Sequence, residues 1–368
     1  MAKGSSITGG IYLVERLRKW AQFKLTNDTI FVTIDVSDLY TMVPEKSGLE
    51  AVRKMLEILK VKQIVGIPIE TILEMAQFVL ENNYFFYDGV YYRQSRGGAM
   101  GSPFTLTFAN VYMYFFERSI QKTIVSIKKG LYYRYIDDII IACRATETQV
   151  QAWLLHWNRM DNDNIKLIGS IGKEAQFLDV NIKNNNGHLV TSVFHKPSHE
   201  PYYLPFSSIH AFHIKRNIPF GALIRAIRYS STYMLYMKER AYIQMALFLN
   251  GYRDEFIQKQ FNRVFEKFDI PSLTEANYDH SRTKVLKAFF ESKNNPLNIA
   301  QIDYEKTMLF HFTYTEGMDK FASHFHRLWR MCFTDTPLGD ITPIVGYRNT
   351  PNLQQSLVQK KPCKQLLK

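Results

Sequence analysis

Apolar and polar positions along the chain repeat with two periods, one typical of helices and one typical of strands. In the first 92 residues, β-rich runs alternate with amphipathic runs. Asp88-Gly89 between two aromatic segments is the signature of a hairpin with a type I′ turn. This part of the chain therefore predicts helices over residues 11–24, 45–60 and 68–82, a strand over 29–36 and a hairpin over 84–92.

Beyond residue 95 the pattern becomes more helical towards the end of the chain. A glycine-rich segment leads into an apolar helix that ends near Ile120, and from about residue 200 prolines separate one helical run from the next. The pattern predicts helices over residues 146–160, 219–249, 253–268, 281–293 and 316–332, strands over 165–168, 176–182 and 189–195, and a turn at 184–187. The last 25 residues predict a weakly ordered tail.

Composition indicates a folded, basic protein. The 368 residues allow two or three domains, and 46% hydrophobic with 14% aromatic content argues against general disorder. A net charge of +12 favours a polyanionic partner, either nucleic acid or an anionic membrane surface. The three cysteines lie far apart, which indicates neither a disulfide framework nor a cysteine-based zinc site. Without a signal peptide or an apolar run of membrane-spanning length, the sequence predicts a soluble intracellular protein.

The most informative motif is Tyr-Ile-Asp-Asp at residues 135–138, between two apolar runs. Adjacent carboxylates at the tip of a strand–turn–strand repel each other and raise each other's pKa. A divalent cation removes this cost, because Mg²⁺ prefers carboxylate oxygens and substrate phosphates. The alternative is an ordinary hairpin whose Asp-Asp turn is solvated.

Asp35 ends a second β-rich run, 102 residues before Asp137. A carboxylate at the end of a buried strand, placed beside a carboxylate hairpin, gives the layout of a two-metal site. In such a site one ion activates a hydroxyl nucleophile while both ions clamp the in-line phosphoryl transfer. Taken alone, Asp35 could equally cap a helix. The two segments together predict a nucleic-acid polymerase palm.

Residues 95–104, Ser-Arg-Gly-Gly-Ala-Met-Gly-Ser-Pro-Phe, form the glycine-rich segment. Glycines let a backbone approach a ligand closely, so this segment could lie beneath a base pair. The alternative is a simple loop before a core helix.

Basic residues concentrate between residues 193 and 240, with seven lysines and arginines against two glutamates. Arg225 and Arg228 are three residues apart on a predicted helix and share a face, which suits contact with a duplex backbone. A solvated helix face is the alternative. Histidines at 195, 199, 210 and 213 could suggest zinc, but no cysteine or carboxylate cluster completes such a site, so loop packing is favoured.

Taken in order, these segments resemble reverse transcriptases, most closely those of Penelope-like retroelements, whose relatives include telomerase. The resemblance covers roughly residues 29–355 and is carried by residues 33–41, 98–103 with Ala109-Asn110, 134–138, 177–182, 195–197 with 203–204, 216–221, 225–229 and 345–349 with 352–353. It implies an α/β (α+β) fold: a right-hand polymerase palm with an antiparallel sheet packed on helices, followed by an α-helical thumb. The implied boundaries are a lead-in over residues 1–28, a palm over 29–198, a thumb over 199–335 and a linker or tail over 336–368.

The resemblance also implies a role for each matched residue. Asp35 and Asp137 would be the principal ligands of two Mg²⁺ (or Mn²⁺) ions, with Asp138 and the backbone carbonyl of Val36 in support. Tyr40 would be a steric gate that excludes a ribose 2′-hydroxyl; a core tyrosine is the alternative. The nucleotide would contact Tyr40, Ala99, Met100 and Gly101, and the nucleic acid would contact Ser102, Pro103, Lys196, Lys215, Arg216, Arg225 and Arg228.

The implied activity is RNA-directed DNA synthesis from deoxynucleoside triphosphates on an RNA template, with a DNA primer or RNA/DNA duplex as partner, in the nucleus. A non-catalytic nucleic-acid-binding remnant is an alternative. An RNA-dependent RNA polymerase is another, and the bulky Tyr40 disfavours it. Only 34 residues precede Asp35, fewer than a fingers subdomain needs, and no endonuclease follows residue 355. We therefore expect either module to be supplied separately, if at all.

Overall fold

The computed structural model describes residues 4–127, 129–161, 164–198, 200–294, 303, 305–315 and 317–350. The chain divides into two compact units: unit 1 is Met1–Lys196 with Tyr229–Ser231, and unit 2 is Pro197–Arg228 with Thr232–Lys368. His199 and residues 352–353 of the sequence predictions lie outside the described residues. No helix in the described part of the chain is long and apolar enough to cross a membrane.

Unit 1 contains most of the strands and begins with a helix. Its helices are α1 (Gly10–Lys24), α2 (Leu39–Met42), α3 (Glu45–Ile58), α4 (Ile69–Glu81), α5 (Pro103–Phe116), α6 (Arg118–Gln121) and α7 (Glu147–Arg159), with a π-helical turn at Lys122–Ile127. Its strands are β1 (Thr29–Ser37), β2 (Gln63–Ile64), β3 (Ile67–Pro68), β4 (Tyr84–Tyr87), β5 (Val90–Arg93), β6 (Leu131–Tyr135), β7 (Asp138–Arg144), β8 (Lys166–Gly172), β9 (Glu174–Phe177), β10 (Val180–Asn185) and β11 (His188–Val193). The predicted helices and hairpin of the first 92 residues are confirmed.

The principal sheet of unit 1 has the strand order β6-β7-β1-β8 and is antiparallel throughout. Val32, Ile34 and Val36 alternate along β1 and are buried in the core that α3, α4, α5 and α7 complete. Because successive side chains of a strand point to opposite faces, Thr33 and Asp35 lie on the other face. The core therefore fixes which face of the sheet carries the acidic residue.

The second sheet of unit 1 has the order β11-β10-β9. The prediction of one strand over residues 176–182 is wrong, because a turn at Leu178-Asp179 separates β9 from β10 and Leu178 has a φ of +55°. The predicted turn at 184–187 is confirmed. The buried amide of Asn184 donates hydrogen bonds to the carbonyls of Thr26 and Thr29, both 2.8 Å away, and so ties this sheet to the start of β1.

The β4–β5 hairpin, which we call the aromatic ribbon, is exposed along both strands. Asp88 and Gly89 both have positive φ, as a type I′ turn requires. Phe85 stacks on Tyr92 and Phe86 packs against Tyr91, with ring centroids 5.5 and 5.0 Å apart. These cross-strand pairs hold the ribbon together while leaving both of its faces open to solvent.

Unit 2 is built on a bundle of four helices. Its elements are α8 (Phe212–Tyr229), α9 (Tyr233–Leu249), α10 (Asp254–Phe268), α11 (Tyr278–Asn294), β12 (Thr307–Thr313), a 3₁₀ turn at Met318–Lys320, α12 (Phe321–Phe333) and β13 (Thr342–Arg348). The predicted helix over 219–249 is wrong in two respects. It is two helices separated at Ser230–Thr232, and the first begins at Phe212 with Pro219 inside it. The four helices share a core that includes Leu223, Tyr236, Ile257 and Val285.

Residues 307–348 form a small β–α–β unit that the sequence did not predict. β12 and β13 pair in parallel, and α12 connects them. Phe310 and Phe312 of β12 pack against Phe325 and Phe321 of α12, with centroids 4.7 and 4.4 Å apart. The predicted helix over 316–332 is present as α12. The two strands were not predicted: β12 lies within the stretch 199–335 expected to form a helical thumb, and β13 extends into the last 25 residues, where a weakly ordered tail was expected. The tail beyond residue 350 lies outside the described residues.

Candidate active site

Three carboxylates converge at one end of the principal sheet. Asp35 on β1 is directly opposite Asp138 on β7, so their Cα atoms lie roughly 4.5–5.5 Å apart, with both side chains on the same face. Residues 136 and 137, which we call the acidic turn, connect β6 to β7, and the Asp137 carbonyl accepts a hydrogen bond from Val36 N at 3.1 Å. The structure thus brings together the three acids that the sequence separates by about a hundred residues.

The electrostatics of this cluster are unfavourable without a cation. Burial raises the pKa of Asp138, and the charges of Asp137 and Asp35 raise it further, while nearby Lys196 acts in the opposite direction. Within the described ranges, no three histidine, cysteine or acidic side chains lie in an arrangement that could hold a metal ion. Mg²⁺ commonly takes only one or two carboxylates and completes its shell with water and substrate phosphates. A metal at this cluster would therefore need ligands from the substrate as well, and its binding stays a prediction.

Asp138→Asn is expected to stabilise the metal-free chain at pH 7. The pKa of Asp138 is raised in the folded state, so the folded state holds the proton of this carboxyl to a higher pH than the unfolded state does. The free energy of unfolding therefore falls as pH rises above 3.8, the ordinary pKa of an aspartate. In thermal melts with EDTA at pH 7, Asp138→Asn should have a higher Tm than the parent, and this difference in Tm should become smaller towards pH 4. Asp28→Asn, in the exposed turn before β1, is the control. A lower Tm for Asp138→Asn at pH 7 would contradict this account.

A buried ion pair adjoins the acidic turn. The Nε of Arg134 lies 2.6 Å from Oε2 of Glu117, and both side chains are 1% exposed or less. Tyr132 donates its hydroxyl to the same oxygen at 2.9 Å. Arg134 Nη1 donates to Oδ1 of Asn110 on α5 and to the Ile136 carbonyl, both at 2.7 Å. One guanidinium thus connects the helix after the glycine-rich segment to the turn that carries the acid.

Ile136 has a φ of +57° in this turn. A positive φ is a genuine outlier for a β-branched residue and costs roughly 1–2 kcal/mol, whereas glycine adopts it freely. Such strain persists only where the surroundings over-determine the backbone. Here the surroundings are the β6–β7 pairing, the Arg134 hydrogen bond and the packing of the Ile136 side chain against the core.

The glycine-rich segment packs on α2. Gly98 N donates to the Tyr40 carbonyl at 2.8 Å. A Cβ on Gly97, whose φ is +67°, would lie 2.3 Å from that same oxygen, and a Cβ on Gly98 would lie 2.4 Å from Thr105 Oγ1. Two of the three glycines are therefore required by contacts within unit 1. Only at Gly101 is the space for a Cβ open.

Gly97→Ala is expected to destabilise unit 1 by roughly 1–3 kcal/mol, because it combines a backbone clash with an unfavourable φ. Gly101→Ala, four residues away in the same segment, should leave stability within about 0.5 kcal/mol. Urea unfolding of the two variants measures the difference. Equal losses at both positions would show that the contact with α2 is not what fixes Gly97.

Tyr40 lies beside the acidic cluster. Its ring is half-buried against the core, and burial, the charge of Asp137 and Tyr135 together raise the pKa of its phenol. Tyr40 is therefore within electrostatic reach of the cluster. Its assignment as a gate stays a prediction.

The other predicted nucleotide and template contacts lie at the start of α5. Met100 is 74% exposed, Gly101 and Pro103 are exposed, and Ala99 and Ser102 are half-buried. Lys196 is exposed at the end of unit 1 and acts electrostatically on Asp138. These side chains are free to contact a ligand, and their roles stay predictions.

The predicted phosphate contacts of unit 2 differ in their surroundings. Arg216 is exposed, whereas Lys215 lies over the Phe206 ring at 5.4 Å. Arg228 lies over the Phe289 ring at 4.4 Å. Arg225 is half-buried, and its charge acts on Tyr203 and Tyr242. Arg225 and Arg228 are both half-buried rather than on a fully solvated face, and the duplex contact predicted for them stays a prediction.

Comparison with solved structures identifies the fold. The telomerase of Candida albicans, solved in complex with a TWJ fragment of telomeric RNA, is 10% identical with a TM-score of 0.50 over 79% of this chain and 50% of that chain. The chain has a polymerase-type α/β fold. The TM-scores of two further structures are lower. Telomerase of Candida tropicalis is 13% identical with a TM-score of 0.44, over 93% of this chain and 53% of that chain. The Sicinivirus RNA-dependent RNA polymerase is 9% identical with a TM-score of 0.42, over 69% of this chain and 54% of that chain. The chain spans about half the length of these proteins.

Comparisons of the sequence with known families and curated proteins match only one part of the chain. A family profile described as an animal helix-turn-helix domain matches residues 202–262, which include α8, α9 and the first part of α10. No curated protein matches the chain. The break between α8 and α9 at Ser230–Thr232, which contains neither glycine nor proline, was missed from the sequence.

The sequence analysis also missed the Arg134–Glu117 pair. A signal was present: Arg134 follows the period-2 spacing of Tyr132 on a strand whose alternate positions are core, and Glu117 ends an apolar helix. Charged residues at core-facing positions are almost always paired. Two such residues of opposite charge in neighbouring elements therefore indicate a buried ion pair.

Proposed function

We propose that the chain is an RNA-directed DNA polymerase, a reverse transcriptase of the Penelope-like type, that adds deoxynucleotides to a primer 3′-hydroxyl. The observation that carries the proposal is the direct pairing of Asp35 with Asp138 beside Asp137, on the solvent-facing side of the sheet. The polymerase-type fold supports it. The order of the matched motifs along the sequence supports it as well.

Each part of the site has a role in this reaction. Asp35, Asp137 and Asp138, with the Val36 carbonyl, would hold two Mg²⁺ ions, which supply activation of the 3′-hydroxyl and neutralisation of the transferring phosphate. Tyr40 would pack against the sugar. Met100 and its neighbours would contact the incoming nucleotide.

Lys196 and the cations of unit 2 would contact phosphates of the primer–template duplex. Arg216 is the most accessible of the four predicted in unit 2. Such contacts make affinity fall steeply with salt. A template RNA and a primer are accordingly the partners we propose, and nuclear residence follows from the element class.

Primer extension on an RNA template with Mg²⁺ tests the proposal. The parent should extend the primer and Asp137→Asn should not, while both bind the duplex with equal affinity. If neither protein extends and both bind, the chain is a nucleic-acid-binding remnant, a function that the helix-turn-helix match would by itself accommodate. Extension with ribonucleotides alone would instead identify an RNA polymerase.

Tyr40→Ala is expected to lower discrimination against ribonucleotides by roughly 10²-fold, because a rigid ring excludes a 2′-hydroxyl and alanine does not. Ratios of kcat/KM for a deoxynucleotide and its ribonucleotide measure this. Tyr40→Phe retains the ring and is the matched control. Unchanged discrimination in Tyr40→Ala would assign Tyr40 to the core.

A further inference from the structure

The Arg134 side chain joins two segments that lie apart in the sequence, namely the acidic turn and the helix α5 that follows the glycine-rich segment. We propose that Arg134 is a positioning residue: its hydrogen bond to the Ile136 carbonyl sets where Asp137 presents its carboxylate to the metal ions. The inference rests on the proposed function, since it concerns the same site. It assigns a role to Arg134, Glu117 and Asn110 that the metal ligands alone do not explain.

The geometry supports positioning rather than packing alone. Arg134 is anchored on three sides: its Nε by Glu117 at 2.6 Å, its Nη1 by Asn110 at 2.7 Å, and its backbone by hydrogen bonds to Ser5 O and from Ile7 N at 2.8 and 3.0 Å. With its guanidinium fixed, Nη1 points at the Ile136 carbonyl at 2.7 Å. Because Nη1 is fixed in this way, its hydrogen bond determines the position of the Ile136 carbonyl.

The acceptor lies one peptide before Asp137. The carbonyl of Ile136 belongs to the peptide unit that ends at the Asp137 nitrogen, so fixing it fixes the plane from which the Asp137 side chain departs. On the other side, Val36 N holds the Asp137 carbonyl at 3.1 Å. Asp137 is therefore clamped between Arg134 and β1. Residues that orient metal ligands in this way typically change metal affinity or activity 10–100-fold when they are altered.

The chemistry requires arginine. The planar guanidinium donates to a carboxylate through Nε and to two further acceptors through Nη1, whereas all the donors of a lysine ammonium are on one nitrogen. Arg134→Lys keeps the charge that neutralises Glu117 but cannot satisfy all three acceptors in their present positions. It thus separates charge neutralisation from positioning of the turn.

The experiment compares Arg134→Lys with the parent in two assays. Calorimetric titration with Mn²⁺, in the presence of primer–template duplex and a nucleotide that cannot be extended, should show an affinity reduced roughly 10-fold or more. In primer extension, kcat should fall roughly 10–100-fold while KM for the nucleotide changes less than about threefold. A melting curve confirms that the variant is folded, and Asn110→Ala, which removes one anchor of the same nitrogen, should give a smaller change in the same direction.

Tyr132→Phe is the matched control, because it removes a hydrogen bond from Glu117 and none from the turn. It should leave Mn²⁺ affinity within about twofold of the parent. A folded Arg134→Lys with unchanged Mn²⁺ affinity overturns the inference, as does an equal loss in Tyr132→Phe. A parent that binds Mn²⁺ but extends no primer refutes the proposed function while the Mn²⁺ comparison still decides the inference. A parent that binds no Mn²⁺ overturns both.

Discussion

Asp35→Asn is expected to lower kcat of primer extension by roughly 10³-fold or more, with duplex affinity within about twofold of the parent. Asp35 faces Asp138 across the β1–β7 pair, and in the proposed function the loss of its charge would remove a metal ligand from the cluster. Metal stabilisation of developing charge contributes several kcal/mol, and each 1.36 kcal/mol or so is a factor of ten in rate. Single-turnover extension measures the rate, and fluorescence anisotropy of a labelled duplex measures binding.

The control for this prediction is Asp28→Asn, which removes the same charge at the other end of β1. It should retain the parental rate within about twofold. Comparable losses at both positions would indicate a general effect of net charge on duplex binding. A fully active Asp35→Asn would exclude the two-metal assignment.

Glu117→Ala is expected to cost about 3–5 kcal/mol of unfolding free energy. Glu117 is fully buried, and its removal leaves Arg134 without its counter-ion, inside a core from which the charge cannot reach water. Urea unfolding followed by tryptophan fluorescence measures the loss, since Trp20, Trp153 and Trp157 all lie in unit 1. Destabilisation of less than about 1 kcal/mol would show that Arg134 finds another partner.

A comparison within the same unit tests the physical reason. Arg53 and Glu70 form a bidentate pair of the same chemistry, with nitrogen–oxygen distances of 2.5 and 2.8 Å, but both side chains are exposed. Glu70→Ala should leave the urea midpoint nearly unchanged, because water solvates the remaining arginine. The double variant Glu117→Ala with Arg134→Met should recover much of the lost stability, because it removes the unpaired charge.

Local patterns made much of unit 1 predictable. The Asp88-Gly89 turn, the alternation of Val32, Ile34 and Val36, and the position of the acid near the end of β1 are each encoded within a few residues. The prediction that Asp35 meets the Asp-Asp hairpin needed only that two strands pair, and the register shows that they do. Sequence patterns a few residues long were sufficient for these features, because the turn type and the buried face of a strand are set by neighbouring residues.

Features that depend on distant partners were not predictable in the same way. β12 and β13 pair in parallel across α12, so each strand depends on a partner about 35 residues away along the chain. The glycines at 97 and 98 suggested room for a ligand, whereas the structure uses them to admit the backbone of α2 and the side chain of Thr105. A glycine in the sequence indicates that another group packs closely against the backbone, but it does not distinguish a ligand from another part of the protein.

The aromatic ribbon has a consequence for how this protein behaves in solution. In the part of the chain that the structure describes, its two strands form a sheet of their own that pairs with no other strand, and Phe86 and Tyr87 are 61% and 70% exposed. Open edges that carry apolar side chains and little charge favour recruitment of strands from other molecules, which is the first step towards aggregation. A lysine in place of either ring would add the gatekeeping charge that natural sheets use at such edges.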